Sequence, residues 1–216
     1  MPAVIKDLAI VTGSNSISNE DILAMYTGDS RDPLKFLTEG LGRDIRYHCK
    51  YGEENAVTMA VEAAAELLEN NGLTGDDIDI LVVCNQYPEY TMPTQAMILH
   101  SKLKINSGCT VFDLNANCLG MLRGVDVVNR YMSSKDGAKR ALVIGSDCMS
   151  KFTDKRELAT TGSFADGACA LLLEFGEDSD NGIIGSADRT VSSEAHGCLY
   201  PRCGASNVAE TEYIET

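Results

Sequence analysis

No apolar run in this chain approaches the roughly 18 residues that cross a membrane, although 44% of its residues are hydrophobic. Its first residues, Met1-Pro2-Ala3-Val4-Ile5-Lys6-Asp7, show neither the basic start nor the long apolar stretch of a secretory signal. A soluble, cytoplasmic protein with no membrane partner is expected. Basic residues are scarce: 18 Lys and Arg stand against 32 Asp and Glu, giving a net charge of -14 with no basic cluster. Nucleic acids are held through counterion release onto a basic face, so no such partner is expected. Familiar catalytic signatures are missing too. Gly13-Ser14-Asn15 fits neither a dinucleotide nor a P-loop fingerprint, and no HExxH, GxSxG or kinase pattern occurs. There is no internal repeat, low-complexity segment or linker.

Cysteine spacing argues against a disulfide or metal framework. The eight cysteines include no CxxC pair, and several lie in strand-like runs such as Leu81-Val82-Val83-Cys84, the pattern of reduced intracellular thiols. Histidine is limited to three residues. His48 and His100 have no motif around them and read as structural or surface residues. The segment from His196 through Cys198 to Cys203 mixes zinc-ligand types, but structural zinc takes four ligands with tighter cysteine pairs. An irregular loop and no metal are expected there.

The patterning predicts alternating strands and helices. Residues 8–12 read as a strand, and Ser18 with Asp21 caps a short helix to about Tyr26. Residues 28–52, rich in Gly, Asp and Arg, read mostly as loop. The clearest helix spans 53–71, with Ala56, Val57, Ala60, Val61, Ala64, Leu67 and Leu68 on one stripe and Gly72 as its C-cap. A strand over 80–84 follows. Pro93 then opens a helix to about Leu103, before strands at 110–114 and 140–146. Two last strands, 168–174 and 182–191, read as a hairpin turning through 176–181. The alternation predicts an α/β fold with a mixed, mostly parallel sheet covered by helices on both faces.

One cysteine stands apart by position. In Phe112-Asp113-Leu114-Asn115-Ala116-Asn117-Cys118-Leu119-Gly120, a buried strand runs into a helix marked by Met121, Leu122, Val125, Val128 and Met132. Most free cysteines are buried packing residues. A helix start, however, has unpaired N–H groups and partial positive charge, which favour the nucleophilic thiolate. Gly120 and Gly124 share one helix face at roughly 1 kcal/mol each relative to Ala, which predicts close approach of another backbone. Phe164-Ala165-Asp166-Gly167-Ala168-Cys169-Ala170 reads as a tight turn into a strand whose small residues admit neighbouring backbone.

In this order, four segments resemble the thiolase-like superfamily, closest to its β-ketoacyl-acyl-carrier-protein synthase III branch. They are 73–84; Tyr87-Pro88-Glu89-Tyr90-Thr91-Met92-Pro93-Thr94-Gln95-Ala96; the Cys118 segment; and 164–170, where Ala165 and Cys169 replace two glycines of an FGDGAGA turn. The resemblance covers nearly the whole chain. It implies a thiolase-like fold in which residues 1–175 form the N-terminal half of a duplicated αβαβα arrangement. Residues 176–216 would lead toward a C-terminal half absent from this chain.

By the same resemblance, Cys118 takes an acyl group from acyl-CoA as a thioester, and its backbone N–H supplies part of an oxyanion hole. Condensation with malonyl-carrier protein follows. No cofactor is implied, the CoA thioester being the substrate. Met92 would line the acyl pocket of a dimer partner, and Arg46, one residue off the family pattern, would contact the CoA nucleotide. The His and Asn that support condensation belong to the second half. Acyl carrier protein is the implied partner, with either a homodimer or a separate C-terminal-half chain covering the exposed face of the Cys118 helix. A noncatalytic fragment or pairing subunit of a thiolase-like complex is the alternative.

Overall fold

Residues 80–84 and 141–144 are buried throughout, because they form the centre of a five-stranded sheet with helices on both sides. The computed structural model describes residues 3–134, 137–175 and 182–193. The chain divides into two units, Met1–Ile184 and Gly185–Thr216; the sheet and its helices belong to the first. The strands are β1 (Ala3–Thr12), β4 (Ile80–Cys84), β5 (Thr110–Leu114), β6 (Arg140–Cys148) and β7 (Asp166–Phe175), in the order β1-β7-β6-β4-β5. β6, β4 and β5 run parallel, with Val82 between Val143 and Phe112, while β7 pairs antiparallel with both β6 and β1. The sheet is mixed, its pairings shared between the two senses.

Alternation of side chains splits the core into two layers. Leu81, Val83, Leu142 and Ile144 face helix α3 (Ala56–Asn70) and helix α4 (Gln95–Lys102), whereas Ile80, Val82, Cys84 and Val143 face α5 (Gly120–Ser134). Helix α3 is delimited by its own sequence. The side chains of Asn55 and Thr58 exchange bonds with each other's backbone N–H at the start. At the end Gly72, at a φ of 63°, lets its N–H reach the Glu69 carbonyl and that of Leu73 reach Leu68, a Schellman closure.

Several expectations are corrected. Residues 28–52 are not mostly loop: Asp32 accepts from the Lys35 N–H and starts the short helix α2 (Pro33–Lys35), and β3 (Ile45–His48) pairs antiparallel with β2 (Asn15–Ser18). Helix α1 (Asn19–Met25) carries the expected Ser18–Asp21 capping box. β1 begins five residues earlier than its apolar run, because a register shift between Ile5 and Asp7 breaks its alternation. Pro93 follows a cis bond and precedes Thr94, the N-cap of α4, instead of occupying the first turn. The expected turn at 176–181 lies outside the described residues. Residues 182–191 form no strand, and both edges of β7 are already occupied by β1 and β6.

α5 leaves part of its sheet face uncovered. Leu8 and Ile10 on β1 are exposed, Ile10 by 62%, and Leu122 on α5 is 71% exposed. Gly120 and Gly124 do meet a close neighbour, but it is side chain and not backbone. A Cβ at Gly124 would come within 2.6 Å of the Cys84 sulfur and 3.0 Å of a Val143 methyl. The two glycines let α5 settle directly on β4 and β6.

Candidate active site

The three parallel strands end on the same side of the sheet, and the residues that follow β4 and β5 meet there with Asp147 near the end of β6. Open α/β sheets bind ligands outside the carboxyl ends of their parallel strands. After β5 the chain makes a tight turn. Asn115 accepts the Asn117 N–H through Oδ1 at 3.0 Å, and Asn117 takes a φ of 50°, in the left-handed region that asparagine tolerates. This turn delivers Cys118 into a 3-10 turn (Asn117–Leu119) that runs straight into α5. Cys118 therefore stands at a strand-to-helix junction, as its sequence predicts.

Exposure separates this thiol from the rest. Of the six described cysteines, Cys118 alone is exposed. Burial pushes the Cys84 thiol up to about 12, helped by the Asp113 and Asp147 carboxylates. The Cys148 thiol is also raised, by its hydrogen bond with Cys49 and by burial, and Cys169 by burial. These three are held in the unreactive form.

Cys118 opens onto a cleft of about 350 Å3, at the small end of ligand pockets. Gln86, Asn117, Met121, Asp147, Ile10, Thr12 and Cys169 line it, with Cys84 and Gly145. Gln86 donates from Nε2 to the Cys118 sulfur at 3.5 Å. Its own backbone is held from two strands. Asp147 accepts the Gln86 N–H at 2.9 Å and the Tyr87 N–H at 3.0 Å, and Asn115 donates to the Gln86 carbonyl at 3.3 Å. Burial pushes the Asp147 carboxyl up to about 6, against the opposing pull of the two N–H bonds.

The first residues of β7 support this end of the sheet. Gly167 lies against Val11, where a Cβ would sit 2.9 Å from the carbonyl oxygen. The adjacent Asp166 is buried and accepts from Cys49 N–H at 2.8 Å, Ser150 N–H at 2.9 Å, Ser150 Oγ at 2.6 Å and Tyr51 Oη at 3.2 Å. Cys49, Cys148 and Asp166 place ligand-type atoms close together, with the two sulfurs 2.9 Å apart. The carboxylate oxygens there are already taken by these donors, and the cluster joins the ends of β3, β6 and β7.

The other predicted residues lie elsewhere. Arg46 is 2% exposed and spends its guanidinium inward, donating from Nε to the Gly162 carbonyl at 3.0 Å and from Nη1 to Asn19 Oδ1 at 2.8 Å. It ties β3 to α1 and α6 (Leu158–Ser163), and its Nη2 is buried without a hydrogen-bond partner among the described residues. Met92 is 84% exposed on the loop before α4. His48 meets the Phe164 carbonyl and His100 the Asn106 carbonyl; His196, Cys198 and Cys203 lie outside the described residues. Sequence reasoning missed Gln86, Asn115 and Asp147. A polar residue just after, or at the end of, each of three apolar parallel strands was the available signal.

A family profile described as 3-oxoacyl-[acyl-carrier-protein (ACP)] synthase III matches residues 112–191. Beta-ketoacyl-[acyl-carrier-protein] synthase III of Neisseria meningitidis serogroup A is 34% identical over 160 residues, which are 74% of this chain and 48% of that protein. The protein of the same name from Bartonella henselae is 32% identical over 218 residues, 98% of this chain and 64% of that protein. The crystal structure of 3-oxoacyl-[acyl-carrier-protein] synthase III from Aquifex aeolicus is similar with a TM-score of 0.73 at 28% identity, over 82% of this chain and 55% of that chain. The chain spans about half the length of the first of these relatives. Matches in sequence and in fold agree: the chain is similar to the β-ketoacyl-[acyl-carrier-protein] synthase III family over the part of those proteins that it spans, and it shares their thiolase-like α/β fold.

Proposed function

We propose that Cys118 accepts an acyl group from an acyl-CoA, as the first half-reaction of a ketosynthase III. The Cys118 sulfur attacks the thioester carbonyl, the bond to the CoA sulfur breaks, and CoA leaves as its thiol with the proton that Cys118 gives up. A malonyl group on an acyl carrier protein then loses carbon dioxide, and its carbanion takes the acyl group from Cys118, which leaves as a thiolate and takes a proton from water. By the family resemblance, the His and Asn that support this second step belong to the other half of the fold, so acyl acceptance is the step assigned to these residues. The CoA thioester enters as substrate, and Met92 is assigned to the acyl pocket of a partner copy. The observation that carries the reading is the exposed Cys118 sulfur at the mouth of the cleft, with an amide donor 3.5 Å away.

Intact mass after incubation with acetyl-CoA and longer acyl-CoAs tests it. A mass gain that Cys118→Ser abolishes is the expected result; no gain with any donor overturns the reading. A noncatalytic pairing subunit is the second reading, and the apolar face left open by Leu8, Ile10, Leu119 and Leu122 favours it. Absence of acylation together with stable association through that face is its expected outcome.

A further inference from the structure

We propose that Asp147 is a positioning residue for Cys118, acting through Gln86. The inference rests on Cys118 being the reacting sulfur of the site above, and on tethers made by two side chains, Asp147 and Asn115. Asp147 reaches from β6 and holds the N–H groups of Gln86 and Tyr87, at 2.9 and 3.0 Å. Asn115 reaches from the end of β5 and holds the Gln86 carbonyl, at 3.3 Å. Asn115 also holds the N–H of Asn117, the residue before Cys118. Gln86 and Cys118 thus hang from one frame, and the Gln86 side chain is left to meet the sulfur at 3.5 Å. A donor on sulfur counts most when the sulfur carries charge, which is the condition during attack on a thioester.

Asp147 itself does not reach Cys118 through any hydrogen bond described, so its effect is indirect. Its charge strengthens the two N–H bonds, and protonation weakens them. The titratable groups around it are Cys84 from β4, Cys118 from the 3-10 turn and Cys169 from β7, all lining the same cleft, with Asp113 of β5 acting beside it on Cys84. No Lys, Arg or His lines the cleft among the described residues. With the carboxyl pushed up to about 6 by burial, the tether changes strength in a window well below ordinary thiol titration.

The test is the rate at which iodoacetamide alkylates Cys118 in the intact chain, located by peptide mapping, over roughly pH 5 to 8. The wild type is expected to show a step near the Asp147 titration, with slower alkylation on the acid side. Asp147→Asn and Gln86→Ala should each slow alkylation about three- to tenfold at neutral pH and remove the step. The double variant should match either single one, because both break one path. Multiplicative losses, or a step that survives in Gln86→Ala, would overturn the proposal. The Gln86→Ala arm decides the matter even if Asp147→Asn does not fold. Alkylation needs no acyl donor, so an intact step in a chain that acyl-CoA fails to acylate would defeat the acyl-transfer reading and leave this one standing.

Discussion

Gly124 of α5 lies directly over Cys84 of β4: a Cβ on the glycine would stand 2.6 Å from the cysteine sulfur. The helix that begins beside Cys118 is therefore seated on the sheet at a distance that only a hydrogen at this position allows. Gly124→Ala should cost about 1–3 kcal/mol through overpacking, despite the roughly 1 kcal/mol that alanine gains within a helix. Urea denaturation measures the loss. Adding Cys84→Ala should recover part of it, and equal losses in the two backgrounds would show that the contact is not the cause.

Asp113 places its carboxylate across the start of α4, accepting the Gln95 and Ala96 N–H groups at 2.8 and 2.7 Å. The Thr94 side chain makes no capping bond, so this cap comes from a neighbouring strand. Asp113→Ala is expected to destabilise the chain by about 0.5–2 kcal/mol and to speed hydrogen exchange at Gln95 and Ala96 ahead of the rest of α4. Unchanged protection at those two amides would refute the assignment.

Burial pushes Asp147 up to about 6 from 3.8. Its folded-state pKa is raised, so the folded chain holds this proton more firmly than the unfolded one. The stability from this group is then fully present below about pH 4 and is lost as pH rises to about 6. The carboxylates of Asp7, Asp21, Glu54 and Asp77, which hydrogen bonds hold low, act in the opposite sense. The comparison that isolates Asp147 is wild type against Asp147→Asn. The wild type should lose on the order of 1–2 kcal/mol relative to the variant between about pH 4 and pH 6. Parallel pH curves for the two proteins would rule this out. Protonation relieves the cost of a buried charge while loosening the bonds to Gln86 and Tyr87, so global stability and Cys118 reactivity should move in opposite directions across this window.

Leu122 presents an apolar side chain to solvent from the first turn of α5. Leu122→Ser should change the stability of the isolated chain by less than about 0.5 kcal/mol, since an exposed side chain loses little packing. It should lower both ANS fluorescence and self-association, because contiguous apolar surface is where proteins associate. Sedimentation of both proteins at several concentrations checks this; equal association would clear the face of that role.

The central strands and α3 were legible because their signals are local. Ile80 to Cys84 are buried on both faces and so read as an unbroken apolar run, and α3 carries both of its stop signals within its own sequence. β3 has no such signal: Arg46 and His48 turn inward while Ile45 and Tyr47 are exposed, the reverse of the usual pattern.

By itself, the sequence determined the alternating α/β order and the position of Cys118 at a strand-to-helix turn, since each depends on neighbours within a few positions; the neighbours that require Gly124 and Gly167 to be small, Cys84 and Val11, are distant in the chain. Tertiary structure alone decided what surrounds the thiol. Gln86 lies 32 residues before Cys118 and Asp147 a further 29 beyond it, 61 from Gln86. They meet because parallel strands β4, β5 and β6 finish together at one end of the sheet, a coincidence of strand ends that has no local trace in the chain.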